Sequence, residues 1–217
     1  MLQILDLHKS FGSVKVINNF NKDFDSGYIY LLTGPNGSGK TTLLKIIRGL
    51  IKEDWGEIRI QRSSSDKLTF SYVDANNRSF LHRLSVKENL RYFMALNKND
   101  RVLEKINQCA DIFKASELLE KTFSELSSGQ MQLISILRGI LEEPKVLLLD
   151  EALVNLDKEM LKIMSTFLEN FVTKGERIVI ICSHNTNLPI QFKEVIELLW
   201  IFLGFTVKKR FFMGYQL

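Results

Sequence analysis

The stretch YLLTGPNGSGKTTLLKIIRGL, residues 30–50, sets three glycines, a lysine and two threonines between two apolar runs. Gly34, Gly39, Lys40 and Thr41 fit the spacing G-x-x-x-x-G-K-[ST]. Glycines let a backbone curl until its N–H groups point inward, and a helix opening directly afterwards adds the positive end of its dipole. That array suits phosphate oxygens. Lys40 supplies a mobile point charge for the outer phosphates, and the Thr41 hydroxyl is a ligand for Mg²⁺. A second chemical group is KVLLLDE, residues 145–151, an apolar run ending in two acids. Asp150 is placed to hold Mg²⁺, often through water, and Glu151 to polarise an attacking water.

These groups need rigid elements around them. YIYLLT (28–33) is almost continuously apolar, as expected of a strand buried on both faces of a parallel sheet. Leu43, Leu44, Ile46, Ile47 and Leu50 have helical spacing, which predicts a helix from Thr41 to Leu50. The runs 2–12 and 14–27 alternate apolar and polar residues like half-exposed strands. GEIRI (56–60) and KLTFSYV (67–73) read as short strands, with a loop at SSSD (63–66). From Ser85 to about Arg138 the pattern is helical. KVLLLD (145–150) and RIVIICS (177–183) return to buried strands, joined by an amphipathic helix closing at Gly175. The expected layout is one domain of 1–217. Residues 1–84 and 139–217 form the α/β core with its β portion, and 85–138 form a helical insertion.

The chain has 217 residues, 45% of them hydrophobic, with a net charge of +4. The one tight basic cluster, Lys208-Lys209-Arg210, reads as a solvated tail, so no nucleic-acid partner is expected. Cys109 and Cys182 lack metal-like spacing, and two unpaired thiols fit a reducing compartment. His8 and His82 read as surface residues, and Met131 and Met164 as core or interface fillers. The longest apolar run, 198–207, is about half the ~20 residues a spanning helix needs.

LSSGQ (126–130) lies just before the acid strand. With GPNGSGKTT, VLLLDE, NLD (155–157) and CSHN (182–185), the chain resembles the nucleotide-binding subunit of ATP-binding-cassette (ABC) transporters over residues 2–198. The resemblance implies a P-loop NTPase, RecA-like α/β core with an N-terminal antiparallel β subdomain and an inserted α-helical subdomain. It implies ATP and Mg²⁺ as ligands. Phe11 would stack on adenine, while Gly34, Pro35, Asn36, Gly37, Ser38, Gly39, Lys40, Thr41 and Thr42 would hold the phosphates. Thr41 and Asp150 would serve the metal, Glu151 would be the catalytic base, and His184 would contact the γ-phosphate. Ser127, Ser128, Gly129 and Gln130 would face the nucleotide of a second subunit, with Asp157 at the same head-to-tail interface. The partners implied are a separate transmembrane subunit and a second ATP-binding domain, identical or not, at the cytoplasmic face of the cell membrane.

Some positions depart from the family pattern. Where a glutamine usually follows the strand ending at Val73, this chain has Ala75 or Asn76, with Asn77 adjacent. The run NRSFLHRLSVKENL and the sequence SSGQMQ resemble an exporter branch, so an exporter ATPase is expected. Ala152 and Leu153 replace a usual proline and threonine, and Leu133 a usual basic residue. The segment after Leu198 is atypically apolar. It reads as a last hairpin packed on the core, as a tail contacting a partner or membrane, or as an altered terminus. Two alternative functions stay open at this point: an ABC ATPase acting on ribosomes or DNA, and an ATP-binding module with weak turnover.

Overall fold

The structure is a computed structural model that describes residues 1–60, 69–76, 79–95, 101–199 and 208–210. The loop expected at 63–66 and Asn77 lie outside the described residues. Strands β1 (Leu2–Phe11), β2 (Val14–Phe24) and β4 (Trp55–Ile60) form an antiparallel sheet in the order β2-β1-β4. Burial alternates strictly only in β4, whereas register shifts in the β1 pairings break the period-2 pattern expected from sequence, so β1 buries Leu2, Ile4 and Leu7 and β2 buries Ile17, Phe20 and Phe24.

The second sheet has the order β5-β6-β7-β3-β8-β9. It comprises β5 (Phe70–Asp74), β6 (Val146–Asp150), β7 (Ile178–Cys182), β3 (Tyr28–Thr33), β8 (Glu194–Glu197) and β9 (Lys208–Arg210). The first five are parallel, and β9 pairs antiparallel with β8. That pairing agrees with the hairpin reading of the tail, while 200–207 and 211–217 lie outside the described residues. Every residue of β6 and β7 is buried, so both read as unbroken apolar runs.

Alternation in these strands feeds two cores. Leu31, Val73, Leu147, Leu149, Val179 and Ile181 face one core, with α4 (Ser128–Leu141) and α5 (Lys158–Gly175). Tyr30, Leu32, Val146, Leu148, Ile178 and Ile180 face the other, with α1 (Lys40–Arg48) and the antiparallel sheet. Each such side chain contributes roughly 1.5–3 kcal/mol on burial. The expected helix at 41–50 begins at Lys40 and ends at Arg48, where Gly49 takes a left-handed cap. Helix α5 ends at Gly175, but Glu176 holds the left-handed position, with φ 49°.

The helical segment carries α2 (Val86–Ala95), α3 (Val102–Ile112) and the start of α4, which runs on to Leu141. Buried Asn89 ties its entry together: the side chain bonds Leu81 N and the carbonyls of Leu81, Leu84 and Ser85. Arg138 of α4 donates to Ser79 Oγ at 2.6 Å and lies over the Phe80 and Phe93 rings. Burial holds its guanidinium below the usual range. No helix among the described residues is long and apolar enough to cross a membrane. Both cysteines are buried and free, as the sequence spacing indicates.

Candidate active site

The loop from Gly34 to Gly39 joins the end of β3 to the start of α1. Its conformation depends on glycine most clearly at Gly34, where φ is +140° and an added Cβ would sit 2.1 Å from Leu198 O. Gly37 and Gly39 also have positive φ, at 76° and 96°. The hydroxyl of Ser38 is buried in this cradle without a hydrogen-bond partner. An orphaned buried hydroxyl in a loop of positive-φ glycines suits an anion bringing its own oxygens.

Lys40 is 6% exposed, and its Nζ donates to Gly34 O at 2.8 Å and Pro35 O at 3.0 Å. The ammonium thus spans the loop whose amides would receive phosphate. A cleft of about 360 Å³ is lined by Phe11, Asn36, Gly37, Gly39, Lys40, Thr41, Thr42, Glu151 and His184. Gly34, Pro35 and Ser38 are not part of that lining. Phe11 at the end of β1 is half exposed, with Lys9 Nζ over its ring at 5.3 Å from the centroid.

Asp150 ends β6 and is 5% exposed. Thr41 Oγ1 donates to its Oδ1 at 3.1 Å, and Tyr72 Oη donates to its Oδ2 at 2.7 Å. A hydroxyl and a carboxylate oxygen side by side are hard oxygen donors of the kind Mg²⁺ takes alongside phosphate and water, so the donor set fits that ion. Burial first, then the bond to Asp150 and the nearby negative charge, push the Tyr72 phenol well above its usual range. It therefore stays protonated and acts as a donor. Tyr72 is absent from the sequence-based site. A lone tyrosine in an apolar strand carries no motif, and only the pairing of β5 with β6 brings it to the acid.

Glu151 follows with φ 54°, a left-handed conformation rare for such a residue. Its N–H donates to Cys182 O at 3.0 Å, while Ala152 and Leu153 behind it are buried. The two substituted positions therefore anchor the loop through apolar packing. Glu151 Oε1 has no hydrogen-bond partner yet lies 3.3 Å from His184 Nε2, close enough to pair but not aligned as a bond. His184 Nε2 is 3.5 Å from Lys40 Nζ.

The LSSGQ residues lie elsewhere. Ser127 caps α4: its Oγ accepts from Gln130 N at 3.3 Å, and Gln130 Oε1 accepts from Ser127 N at 2.9 Å. This reciprocal capping box occupies both side chains. Ser128 is exposed at the first turn. Gly129 permits a close approach, since a Cβ there would meet Asn155 O at 2.7 Å. A cleft of about 310 Å³ joins Ser127, Gly129 and Gln130 to Asn155 and Asp157. Asp157 caps α5 by accepting from Met160 N at 2.8 Å, a local role that the sequence reading omits. Ala75 and Asn76 are exposed, and Asn76 N–H turns back to Asp74 Oδ1 at 3.0 Å. Gln132 of α4 donates to Asp74 O at 3.3 Å, another contact absent from the motif reading.

Comparison with known proteins fits this arrangement. The family model described as ABC transporter matches residues 17–154. A probable sulfate/thiosulfate import ATP-binding protein from Chlorella vulgaris is 30% identical over 203 residues, covering 90% of this chain and 86% of that protein. A spermidine/putrescine import ATP-binding protein from Legionella pneumophila (strain Paris) is also 30% identical, with 90% of this chain covering 56% of its length. The chain thus spans little more than half of that second relative. Among solved structures, an inward-facing metal-chelate type ABC transporter superposes with a TM-score of 0.79 at 24% identity, covering 96% of this chain and 82% of that one. A dimeric bacterial ABC transporter cassette superposes at 0.78 and 21% identity, covering 92% and 94%. The expected α/β fold with its antiparallel β portion agrees with these structures.

The exporter expectation is corrected. These curated relatives are import ATPases, and the features behind that expectation, the run after β5 and SSGQMQ, belong to the nucleotide-binding half rather than to membrane helices that face cargo. A family model over more than half of the chain, a 30% identical relative along most of its length and the shared fold lead to one conclusion: the chain belongs to the ABC transporter family, as an ATP-binding ATPase domain.

Proposed function

We propose that the chain binds Mg-ATP in the Gly34–Thr42 cleft and hydrolyses it to drive a membrane transporter whose spanning helices lie on a separate subunit. The observation carrying this reading is convergence. Lys40 and Thr41 from α1, Asp150 and Glu151 from the end of β6 and His184 after β7 meet at one cleft edge. Amides of the loop and the ammonium of Lys40 take the phosphates, with Phe11 against the base. Thr41 and Asp150 would hold Mg²⁺, which would supply charge neutralisation at the outer phosphates. Glu151 accepts a proton from the attacking water, and His184 orients it against the γ-phosphate.

The working unit in this reading is a head-to-tail pair with a second cassette, identical or related. Ser127, Ser128 and Gly129 cap the γ-phosphate bound to the other copy, and Asp157 lies at the same interface. The exposed start of α4 offers unpaired amides and a positive helix end for that role. The partner membrane subunit keeps the chain at the cytoplasmic face of the membrane in this reading. The named relatives support import as the direction.

Phosphate release from the complex with its membrane subunit tests this proposal, with Glu151→Gln as the comparison. Turnover in the unmodified complex, lost in the variant together with accumulation of an ATP-bound dimer, is expected. Equal turnover in both would leave only a nucleotide-binding module. Stimulation by nucleic acid instead of membranes would favour a ribosome- or DNA-acting ATPase.

A further inference from the structure

The side chain of Tyr72 has no role in the reading above. Yet Tyr72 is the residue through which β5 touches the metal-side acid. Strands β5 and β6 run parallel in register, with Tyr72 beside Leu148 and Asp74 beside Asp150. Alternate residues of neighbouring strands share a face. The Tyr72 ring therefore runs two positions along that face, and its hydroxyl meets Asp150 Oδ2 at 2.7 Å. The other oxygen, Oδ1, is the one 3.1 Å from Thr41 Oγ1. The carboxylate is held at both ends, one oxygen toward α1 and one toward β5.

Asp150 is 5% exposed, so water does little to orient it. Remove the phenol hydroxyl and Oδ2 loses its donor. The carboxylate then keeps only the longer bond from Thr41, and the oxygen beside Thr41 is held less firmly toward the position where the two groups would share an ion. Partners of this kind, one step out from a ligating carboxylate, typically change metal affinity about 10- to 100-fold. β5 also leads directly into the turn at Asp74–Asn76, which α4 grips through Gln132. The hydroxyl is therefore a mechanical link as well: displacement of β5 relative to β6 moves it against Asp150.

We propose that Tyr72 is a positioning residue for the magnesium site, holding Asp150 by one oxygen so that the other stays beside Thr41. This rests on the reading of the cleft as a Mg-ATP site, and the experiment separates the two. Equilibrium binding of a fluorescent ATP analogue is measured for the unmodified chain and for Tyr72→Phe, in EDTA and across a Mg²⁺ titration. The variant is expected to bind the analogue equally well in EDTA and to need about 10-fold more Mg²⁺ for half of the magnesium-dependent gain. Mn²⁺ in place of Mg²⁺, followed by electron paramagnetic resonance, reports the same shift without any turnover. The same Mg²⁺ half-point in both proteins overturns the role of Tyr72. So does a variant that loses binding equally in EDTA and in Mg²⁺, because that would be a general loss of structure. Absence of magnesium-dependent binding in the unmodified chain instead overturns the cleft reading itself. In case Tyr72→Phe fails to fold, 3-fluorotyrosine at position 72 keeps the hydroxyl. Its fluorine resonance is expected to move with Mg-ATP and not with ATP in EDTA, and a resonance blind to Mg²⁺ overturns the proposal.

Discussion

Glu151 Oε1 lies 3.3 Å from His184 Nε2, although 33 positions of chain separate the two residues. The contact exists because β6 and β7 are parallel neighbours in register, with Asp150 beside Cys182, so the residues just beyond both strand ends emerge together. Glu151→Gln keeps the shape and removes the proposed base. General-base catalysis contributes about 10²–10⁴-fold, so turnover is expected to fall by that factor while analogue binding is retained. Phosphate release and equilibrium binding on one preparation check both halves.

Lys40 is nearly buried and rests on two carbonyls of its own loop. A hydrogen bond to a charged group contributes about 1.5–3 kcal/mol, and 1.4 kcal/mol is a factor of ten. Lys40→Ala is therefore expected to weaken ATP binding by about 10- to 100-fold, read by calorimetry. Undiminished binding would remove the ammonium from the site.

Asp157 accepts from Met160 N at the start of α5. Loss of such a cap costs about 1 kcal/mol. Asp157→Ala is expected to lower unfolding stability by that amount in the absence of nucleotide, whereas Asp157→Asn keeps most of it. If both variants unfold like the unmodified chain but dimerise poorly with ATP, the interface role stands alone.

Gly129 tests the approach between the LSSGQ turn and Asn155. A methyl group there would meet a main-chain oxygen at 2.7 Å, and a backbone atom yields less easily than a side-chain tip. Overpacking of this kind costs about 1–3 kcal/mol. Gly129→Ala is expected to lower the denaturation midpoint by that measure, and an unchanged midpoint would mean that the 155–157 loop moves freely.

Burial pushes the Cys109 thiol up to about 12 from an ordinary value of 9.0. The folded state thus favours the neutral thiol, and its contribution is complete below pH 9. As pH rises from 9 toward 12, the unfolded chain ionises first and stability falls by up to about 1.4 kcal/mol per unit. Denaturant melts across that range are expected to show a shallower fall for Cys109→Ala. The folded chain is also expected to resist thiol alkylation near neutral pH.

Much of this protein was legible from local pattern. The phosphate loop, the buried acid strand and the two antiparallel strands follow from glycine spacing, unbroken apolar runs and period-2 alternation, all properties of a few neighbouring residues. Ser127 and Gln130 were legible as part of LSSGQ, and their mutual capping was not. The departures Ala152 and Leu153 are visible in sequence only as replacements of a usual proline and threonine, and packing makes them anchors for the Glu151 loop.

What sequence alone determined was therefore the inventory: which side chains can meet phosphate or move a proton, and which short elements carry them. What only the tertiary structure decided was company. The order β5-β6-β7-β3-β8 sets Tyr72 against Asp150 and Glu151 against His184, and the packing of α4 on β5 sets Gln132 against Asp74. Motif spacing is local because one backbone segment enforces it. Strand order is non-local because it emerges from burying every apolar face at once, and no single stretch of chain encodes that solution.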